Sequence, residues 1–304
     1  MERISENLIH FLPQFLFGVA FLVVIAYAIG CFLLYCQQHK SIFFPSPVIE
    51  KTPLMYDVPF EDVWLPIKVA GKKIEQKIEQ IHGWWMDNPN ANGKVLLYLH
   101  GNTLNIAANL YAATGYYKAG FSVLLIDYRG FGKSQGSFPN EARVYEDAET
   151  AWNYLVEKRK IPSSQIYIYG HSLGGAIAID LAVKCPEAAG LIVESTFTSV
   201  SEVITARKLF PLFPVDLLLT QRFDSIQKVP KLKIPILIIH GTEDNTIPVF
   251  MGKKLYADAP QPKEIILVSG ANHNNVGEIA PSQYAKAVQS FLQVVRKKIQ
   301  APTY

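Results

Sequence analysis

The chain has 304 residues, 49% of them hydrophobic, and its 29 Lys+Arg against 26 Asp+Glu leave a formal charge of +3. That length accommodates one large domain plus an appendage, and so small a charge, not condensed into an arginine-rich stripe, gives no support to nucleic-acid binding. The clustered His/Cys/Asp spacing of zinc sites is absent from the sequence, and with Cys31 and Cys36 inside an apolar segment, Cys185 is left without a disulfide partner in the rest of the chain.

From Phe11 to Cys36 there are 26 residues without an Asp, Glu, Lys or Arg. About 20 apolar residues suffice to cross a bilayer, and Pro13 falls in the first turns, where a helix tolerates it. The run exceeds the roughly 7–15 apolar residues of a signal peptide. A permanent single-pass anchor is expected, with residues 1–40 as the anchor segment and residues 41–304 as the domain it carries. Arg3 precedes the span, whereas Lys40 and Lys51 follow it, a bias that favours the cytoplasmic side for that domain.

Tyr56 to Trp85, with Pro59 and Pro66 and mixed polarity, predicts an antiparallel edge. Residues 73–80 within it repeat Lys-Ile-Glu-Gln once, a duplication expected to lengthen an exposed hairpin and too short for a repeat architecture. Val95–Leu99 is an apolar strand leading into His100-Gly101-Asn102-Thr103, and Val123–Ile126 is another. Gly130-Phe131-Gly132-Lys133-Ser134 looks like a phosphate loop, but that pattern needs glycine where Asp127 stands. Glu141–Lys160 has helical spacing. Gln165–Tyr169, Leu191–Val193, Ile236–Ile239 and Ile265–Val268 are further apolar runs, and Tyr284–Ile299 closes the chain as a helix. Continuously apolar strands mean a sheet covered on both faces, and their alternation with helices predicts crossover units and a mostly parallel sheet.

Between Gln165–Tyr169 and the helical stretch from Ala176 lies Gly170-His171-Ser172-Leu173-Gly174-Gly175. A serine on a strand-to-helix turn needs glycine two residues to either side, because larger side chains would collide there. The helix that follows aims free N–H groups and its positive dipole end at the reacting centre. Ser172 is the candidate nucleophile, and it requires a base that is oriented by an acid. The strand to Ile239 ends in His240-Gly241-Thr242-Glu243-Asp244, so Asp244 or its neighbour Glu243 stands at a strand's carboxyl end, where open α/β sheets build sites. The last strand runs into Ser269-Gly270-Ala271-Asn272-His273-Asn274-Asn275, which gives His273 the loop position a general base needs.

The other histidines read differently. His10 and His39 flank the apolar segment, His82 is a packing or surface residue, and His100 and His240 bond locally around turns. His171 is expected to point its ring away from the reacting atom. For an oxyanion hole the backbone N–H of Leu173 is one candidate donor. That of Asn102, after Gly101, is the second, although Asn102 or Thr103 also suits a helix N-cap. Thr196–Lys233 is too long for a simple crossover. Residues 201–233 hold six basic and three acidic side chains, a local +3. The segment reads either as a cap over the site or as ordinary packing with a solvated basic face. An apolar cap suits acyl chains, and its basic rim suits anionic head groups.

His100-Gly101-Asn102, Asp127-Tyr128-Arg129-Gly130-Phe131-Gly132-Lys133-Ser134, the Ser172 turn, Glu194-Ser195-Thr196-Phe197, the Asp244 turn and the His273 loop together resemble the α/β-hydrolase superfamily. More narrowly, they resemble its membrane-anchored, serine aminopeptidase-like members, and the likeness runs from about Phe43 to the C-terminal helix. The resemblance implies an eight-stranded, mostly parallel sheet with helices on both faces and a small cap. It implies a triad of Ser172, His273 and Asp244, the last chosen over Glu243 because it closes the His-Gly-x-x turn, and neither cofactor nor metal. The expected function is a membrane-tethered serine hydrolase that cleaves an ester, thioester or amide bond in a small-molecule or lipid-derived acyl substrate. A catalytically silent scaffold of this fold and an acyltransferase on the same triad are the alternatives, since a fold does not name a substrate.

Overall fold

The computed structural model describes residues 2–69 and 77–300. Eight strands form one sheet: β1 (Glu61–Val69), β2 (Lys77–Met86), β3 (Val95–Leu99), β4 (Ser122–Ile126), β5 (Ile166–His171), β6 (Gly190–Glu194), β7 (Ile236–Gly241) and β8 (Lys263–Val268). Their order across the sheet is β1-β2-β4-β3-β5-β6-β7-β8. Pairing is parallel from β4 through β8 and antiparallel for β1–β2 and β2–β4. This is the expected eight-stranded, mostly parallel sheet. Its antiparallel edge falls within the stretch with the proline-interrupted, mixed pattern. Of the duplication at 73–80, the first copy lies outside the described residues. The second, Lys77–Gln80, opens β2 opposite Pro66–Val69.

The helices are α1 (Glu2–Ile42), α2 (Leu110–Lys118), α3 (Glu141–Asn153), α4 (Leu173–Lys184), α5 (Val200–Ala206), α6 (Val215–Leu218), α7 (Ser225–Lys228), α8 (Val249–Asp258), α9 (Val276–Ile279) and α10 (Pro281–Gln300). The single helix expected over Glu141–Lys160 is α3 followed by a π-helical turn, Tyr154–Lys158. α3 begins where it does because the Asn140 side chain accepts a hydrogen bond from Arg143 N at 3.0 Å. Every residue of β3, β4, β6 and β7 is buried, since helices cover both faces of the sheet. Successive residues of β3 feed opposite cores. Val95, Leu97 and Leu99 pack with Val144 of α3 and Ile177 of α4, whereas Leu96 and Tyr98 pack with Tyr116 of α2 and Phe291 of α10.

One helix stands apart from this packing. Leu12–Ile42, 31 residues, is long and apolar enough to cross a membrane. Its side chains face outward, Phe17 being 75% and Leu22 66% exposed, as they would not in the core helix of a soluble domain.

A buried ion pair fixes the loop after β4. Arg129 N and Nε donate to the two Asp147 carboxylate oxygens at 2.8 and 2.6 Å, which ties that loop to α3. Arg129 Nη2 also reaches Glu146 at 2.6 Å, but that carboxylate is 61% exposed. Removing one partner of a buried pair strands the other, at a cost of about 3–5 kcal/mol. Asp147→Ala is expected to lose that much in urea denaturation, whereas Glu146→Ala should cost no more than about 1 kcal/mol.

Candidate active site

Strand β5 delivers Ser172 to the carboxyl edge of the sheet, and α4 begins at the next residue. The serine is held at φ 54°, ψ −119°, a left-handed conformation that a side-chain-bearing residue adopts only when its surroundings enforce it. Those surroundings are backbone. A Cβ on Gly170 would run into the Gly174 carbonyl, and one on Gly174 would run into the Leu99 and His100 carbonyls. The turn is pinned from β6 as well, because Ser172 N donates to Glu194 O at 2.9 Å and Thr196 Oγ1 donates to Ser172 O at 2.8 Å.

Loops after β7 and β8 bring two more side chains to this turn. His273 Nε2 lies 3.0 Å from Ser172 Oγ, and His273 Nδ1 lies 2.7 Å from Asp244 Oδ2. The other Asp244 oxygen accepts Thr246 N at 2.9 Å and Ile247 N at 2.8 Å, so the carboxylate is aimed by its own turn. Glu243, the neighbouring candidate, points into solvent. Burial alone would raise the Asp244 carboxyl, but hydrogen bonds to His240 and His273 outweigh it and hold the group well below the usual carboxylate range. It therefore stays ionised, and an ionised carboxylate at Nδ1 favours the imidazole tautomer that carries its proton there.

The remaining sequence candidates resolve in different ways. Leu173 occupies the first position of α4, where no intrahelical acceptor exists for its N–H. The Asn102 N–H likewise donates to nothing among the described residues. Both residues border the cavity at Ser172. The expected N-cap at Asn102 or Thr103 is not there; Asn105 makes the cap, accepting Ala107 N at 3.0 Å. Asn102 is occupied otherwise: its Nδ2 donates to Ile42 O at 2.6 Å and its carbonyl accepts Phe44 N at 2.8 Å. A methyl at Gly101 would sit 3.6 Å from Ser172 Cβ, an ordinary contact. This glycine keeps room beside the serine rather than relieving a clash. His171 does turn away from Ser172, and its Nε2 lies 2.9 Å from the His273 carbonyl oxygen, supporting that loop from behind. Gly132, in the stretch that looked like a phosphate loop, has φ 49° and abuts the Asp127 carboxylate, so it serves a turn.

Some polar contacts near the site gave no signal in the sequence. Glu194 is buried under the serine turn and accepts Tyr169 OH at 2.9 Å and Tyr284 OH at 2.7 Å. Burial raises its carboxyl against the pull of those hydroxyls. A line of side chains runs inward from the exposed Asp62 to the buried His100: Asp62 to His82 at 2.6 Å, His82 to Asp127 at 4.0 Å, and Asp127 to His100 at 3.4 Å. His82 is thus a buried link and not a surface residue. Each pair joins distant parts of the chain, so no local motif could have revealed it.

A cavity of about 320 Å³ rises from Ser172, within the usual range for small-molecule sites. Residues of the segment 196–233, among them Val203, Ile204, Phe210 and Leu218, roof it, and Arg207 lies on its border. Within that segment Arg222 pairs with Asp224 at 2.9 Å, and part of its basic surplus is neutralised from outside by Asp180, 2.7 Å from Lys228.

Comparison with known proteins agrees with this architecture. The family model described as serine aminopeptidase, S33, matches residues 90–215. An uncharacterized protein of Mycobacterium tuberculosis is 30% identical over 278 residues, covering 90% of this chain and 93% of that protein. Human alpha/beta hydrolase domain-containing protein 17B is 34% identical over 210 residues, covering 67% of this chain and 68% of that protein. Among solved structures, the Pyrococcus furiosus esterase Pf2001 superposes with a TM-score of 0.67 at 22% identity, over 83% of this chain and 97% of the esterase. At that identity the superposition speaks for the fold alone.

The His171 imidazole carries a pH dependence. Burial, reinforced by the neighbouring His273, lowers it from 6.5 to about 4. In the unfolded chain this ring takes up a proton as pH falls below 6.5, whereas in the folded chain it resists until about 4. Its contribution to stability is therefore lost across that window on acidification. Urea midpoints of the full chain in detergent are expected to fall as pH drops from about 6.5 to about 4, and His171→Gln is expected to flatten that fall.

Proposed function

The chain belongs to the α/β-hydrolase superfamily, and from that premise we propose that it is a membrane-tethered serine hydrolase acting on an ester, thioester or amide. The carrying observation is the hydrogen-bonded line from Ser172 Oγ through His273 to Asp244 at the foot of an apolar cavity.

The chemistry follows from the line. Ser172 Oγ attacks the acyl carbonyl as its proton passes to His273 Nε2. Negative charge develops on the carbonyl oxygen, and the N–H groups of Leu173 and Asn102 receive it. As the tetrahedral adduct collapses, His273 returns the proton to the departing alcohol, thiol or amine, and Ser172 is left acylated. Water then gives a proton to His273, attacks the acyl carbon and releases the acid, with the proton returning to Ser172 Oγ. Throughout, Asp244 stabilises the charged imidazole. A silent scaffold would have no use for a carboxylate aimed by two backbone N–H groups at the far nitrogen of this imidazole, and that detail favours the enzyme.

Ser172→Ala is expected to abolish fluorophosphonate labelling and to cut turnover of an activated ester by about 10⁴–10⁶ with the fold intact. Asp244→Asn should cost on the order of 10⁴ by misplacing the imidazole proton, and Glu243→Gln should remain near wild type. Equal losses for the two acid variants would remove Asp244 from its role.

The tether is the span Leu12–Ile42. If it lies in hydrocarbon, its insertion is not screened as a surface charge attraction is. Full-length protein in membranes is expected to resist both high salt and alkaline carbonate, with release by carbonate pointing instead to a helix lying on the surface.

A further inference from the structure

The anchor does more than run up to the domain. Its last turns, Leu34, Gln38, Ser41 and Ile42, border the cavity above Ser172, opposite Ile204 and Phe213. The C-terminal part of the helix, from Tyr27 on, is stitched to that roof. Gln38 Oε1 accepts Thr220 N at 2.7 Å and Gln221 N at 3.0 Å, and Gln38 Nε2 reaches Leu218 O at 3.2 Å. Two to three turns earlier, Tyr27 OH donates to Leu212 O at 3.1 Å. There the Tyr27 and Phe213 rings stack with centroids 5.5 Å apart. Gly30 lets the Phe213 ring come so close that a Cβ there would lie 3.1 Å from it.

These contacts set the roof at a definite depth. Leu12–Ile42 is 31 residues, or about 46 Å of helix, against a hydrocarbon core of about 30 Å. Tyr27 and Gly30 lie inside the uncharged stretch, and the cavity wall from Leu34 to Ile42 lies where that stretch ends. The roof segment touching Tyr27 and Gly30 is therefore at hydrocarbon level. Leu212, 80% exposed, and Leu217, 83% exposed, are then solvated by lipid tails rather than by water.

We propose that the anchor helix and the 196–233 segment jointly build an acyl-chain site open to the bilayer, and that its substrate is a single long acyl chain delivered from the membrane. This rests on the serine-hydrolase reading, to which it adds the substrate class and the route of entry. The anchor is then a wall of the site as well as a tether. A chain lying between Leu34 and Ile204 places its carbonyl end at Ser172, and each further methylene transferred into the cavity adds apolar burial.

The test uses full-length protein in liposomes with 4-methylumbelliferyl esters from butanoate to hexadecanoate. Referred to the free ester in the aqueous phase, the specificity constant is expected to climb three- to fourfold per methylene until the cavity is full. Leu34→Trp, which fills the anchor wall, and Ile204→Trp, which fills the roof, should each lower the hexadecanoate-to-butanoate ratio at least tenfold. A flat wild-type profile, or a ratio that Leu34→Trp leaves unchanged, overturns the proposal. If one variant fails to fold, the other still decides. For the route, a non-exchanging long-chain ester should turn over when it shares vesicles with the protein and not when it sits in a separate vesicle population; equal rates overturn entry from the bilayer. Fluorophosphonate labelling of the wild type reports separately. Its absence would refute the serine-hydrolase reading, whereas labelling with a flat profile would refute only the acyl site.

Discussion

Everything at the site hangs on one backbone constraint: Ser172 is held at φ 54° between β5 and α4. An L-residue resists that conformation by steric repulsion, so the fold must enforce it from several sides. Glu194 O takes its N–H from β6, Thr196 Oγ1 occupies its carbonyl, and β3 presses its own carbonyls against Gly174. The strain sits at the junction of three neighbouring strands in the middle of the sheet, where the packing least tolerates relaxation. In return the hydroxyl projects above the sheet edge with the first N–H of a helix beside it. Once that geometry is set, the loops after β7 and β8 have only to reach inward for Asp244 and His273 to come within hydrogen-bond distance.

The polar groups around this turn are compensated in an orderly way. Asp244 uses one oxygen on its own loop and the other on His273, so neither loop can move without breaking a charge-assisted bond. Among the described residues no basic side chain pairs with Glu194; two tyrosine hydroxyls take that place, which suits a carboxyl that burial raises. His171 sits behind His273 as a neutral ring whose Nε2 meets a carbonyl oxygen. Bonding of this kind fixes side chains in rotamers, and a line such as Ser172–His273–Asp244 is useful only while its members do not wander.

How much of this could be read from the chain depended on distance along it. The serine turn was legible because strand, glycines and helix are contiguous and each has its own local signature. The parallel part of the sheet was legible for a related reason: strands buried on both faces must be apolar throughout, and β3, β4, β6 and β7 are, whereas the count of eight strands came from the resemblance. His273 was legible by its position in a polar loop just past an apolar strand, whereas position left Asp244 and Glu243 side by side and the resemblance chose between them. The Asn105 cap was missed because Asn102 and Thr103 offered the same chemistry three residues earlier, and only the fold shows Asn102 tied to Ile42 and Phe44. Glu194 with its tyrosines, and the line from Asp62 to His100, join residues 20 to 90 positions apart in the chain, beyond the reach of any local pattern. Nor could composition reveal that Gln38, at the end of an apolar run, would engage three backbone groups near residue 220.

The glycines of the serine turn have a consequence for how variation in this chain would be interpreted. Gly170 and Gly174 press against carbonyl oxygens, and Gly175 lies against the Thr196 side chain. Each is there for shape alone. Ser172, by contrast, makes its Oγ contact to His273 at the mouth of a cavity, and alanine would leave the backbone around it undisturbed. In a saturation library scored for activity, these four positions would look equally intolerant. Scored for protein abundance, the glycines would stay intolerant while Ser172 accepted small residues, and the difference between the two maps would separate the residues that make the turn from the one the turn exists to present.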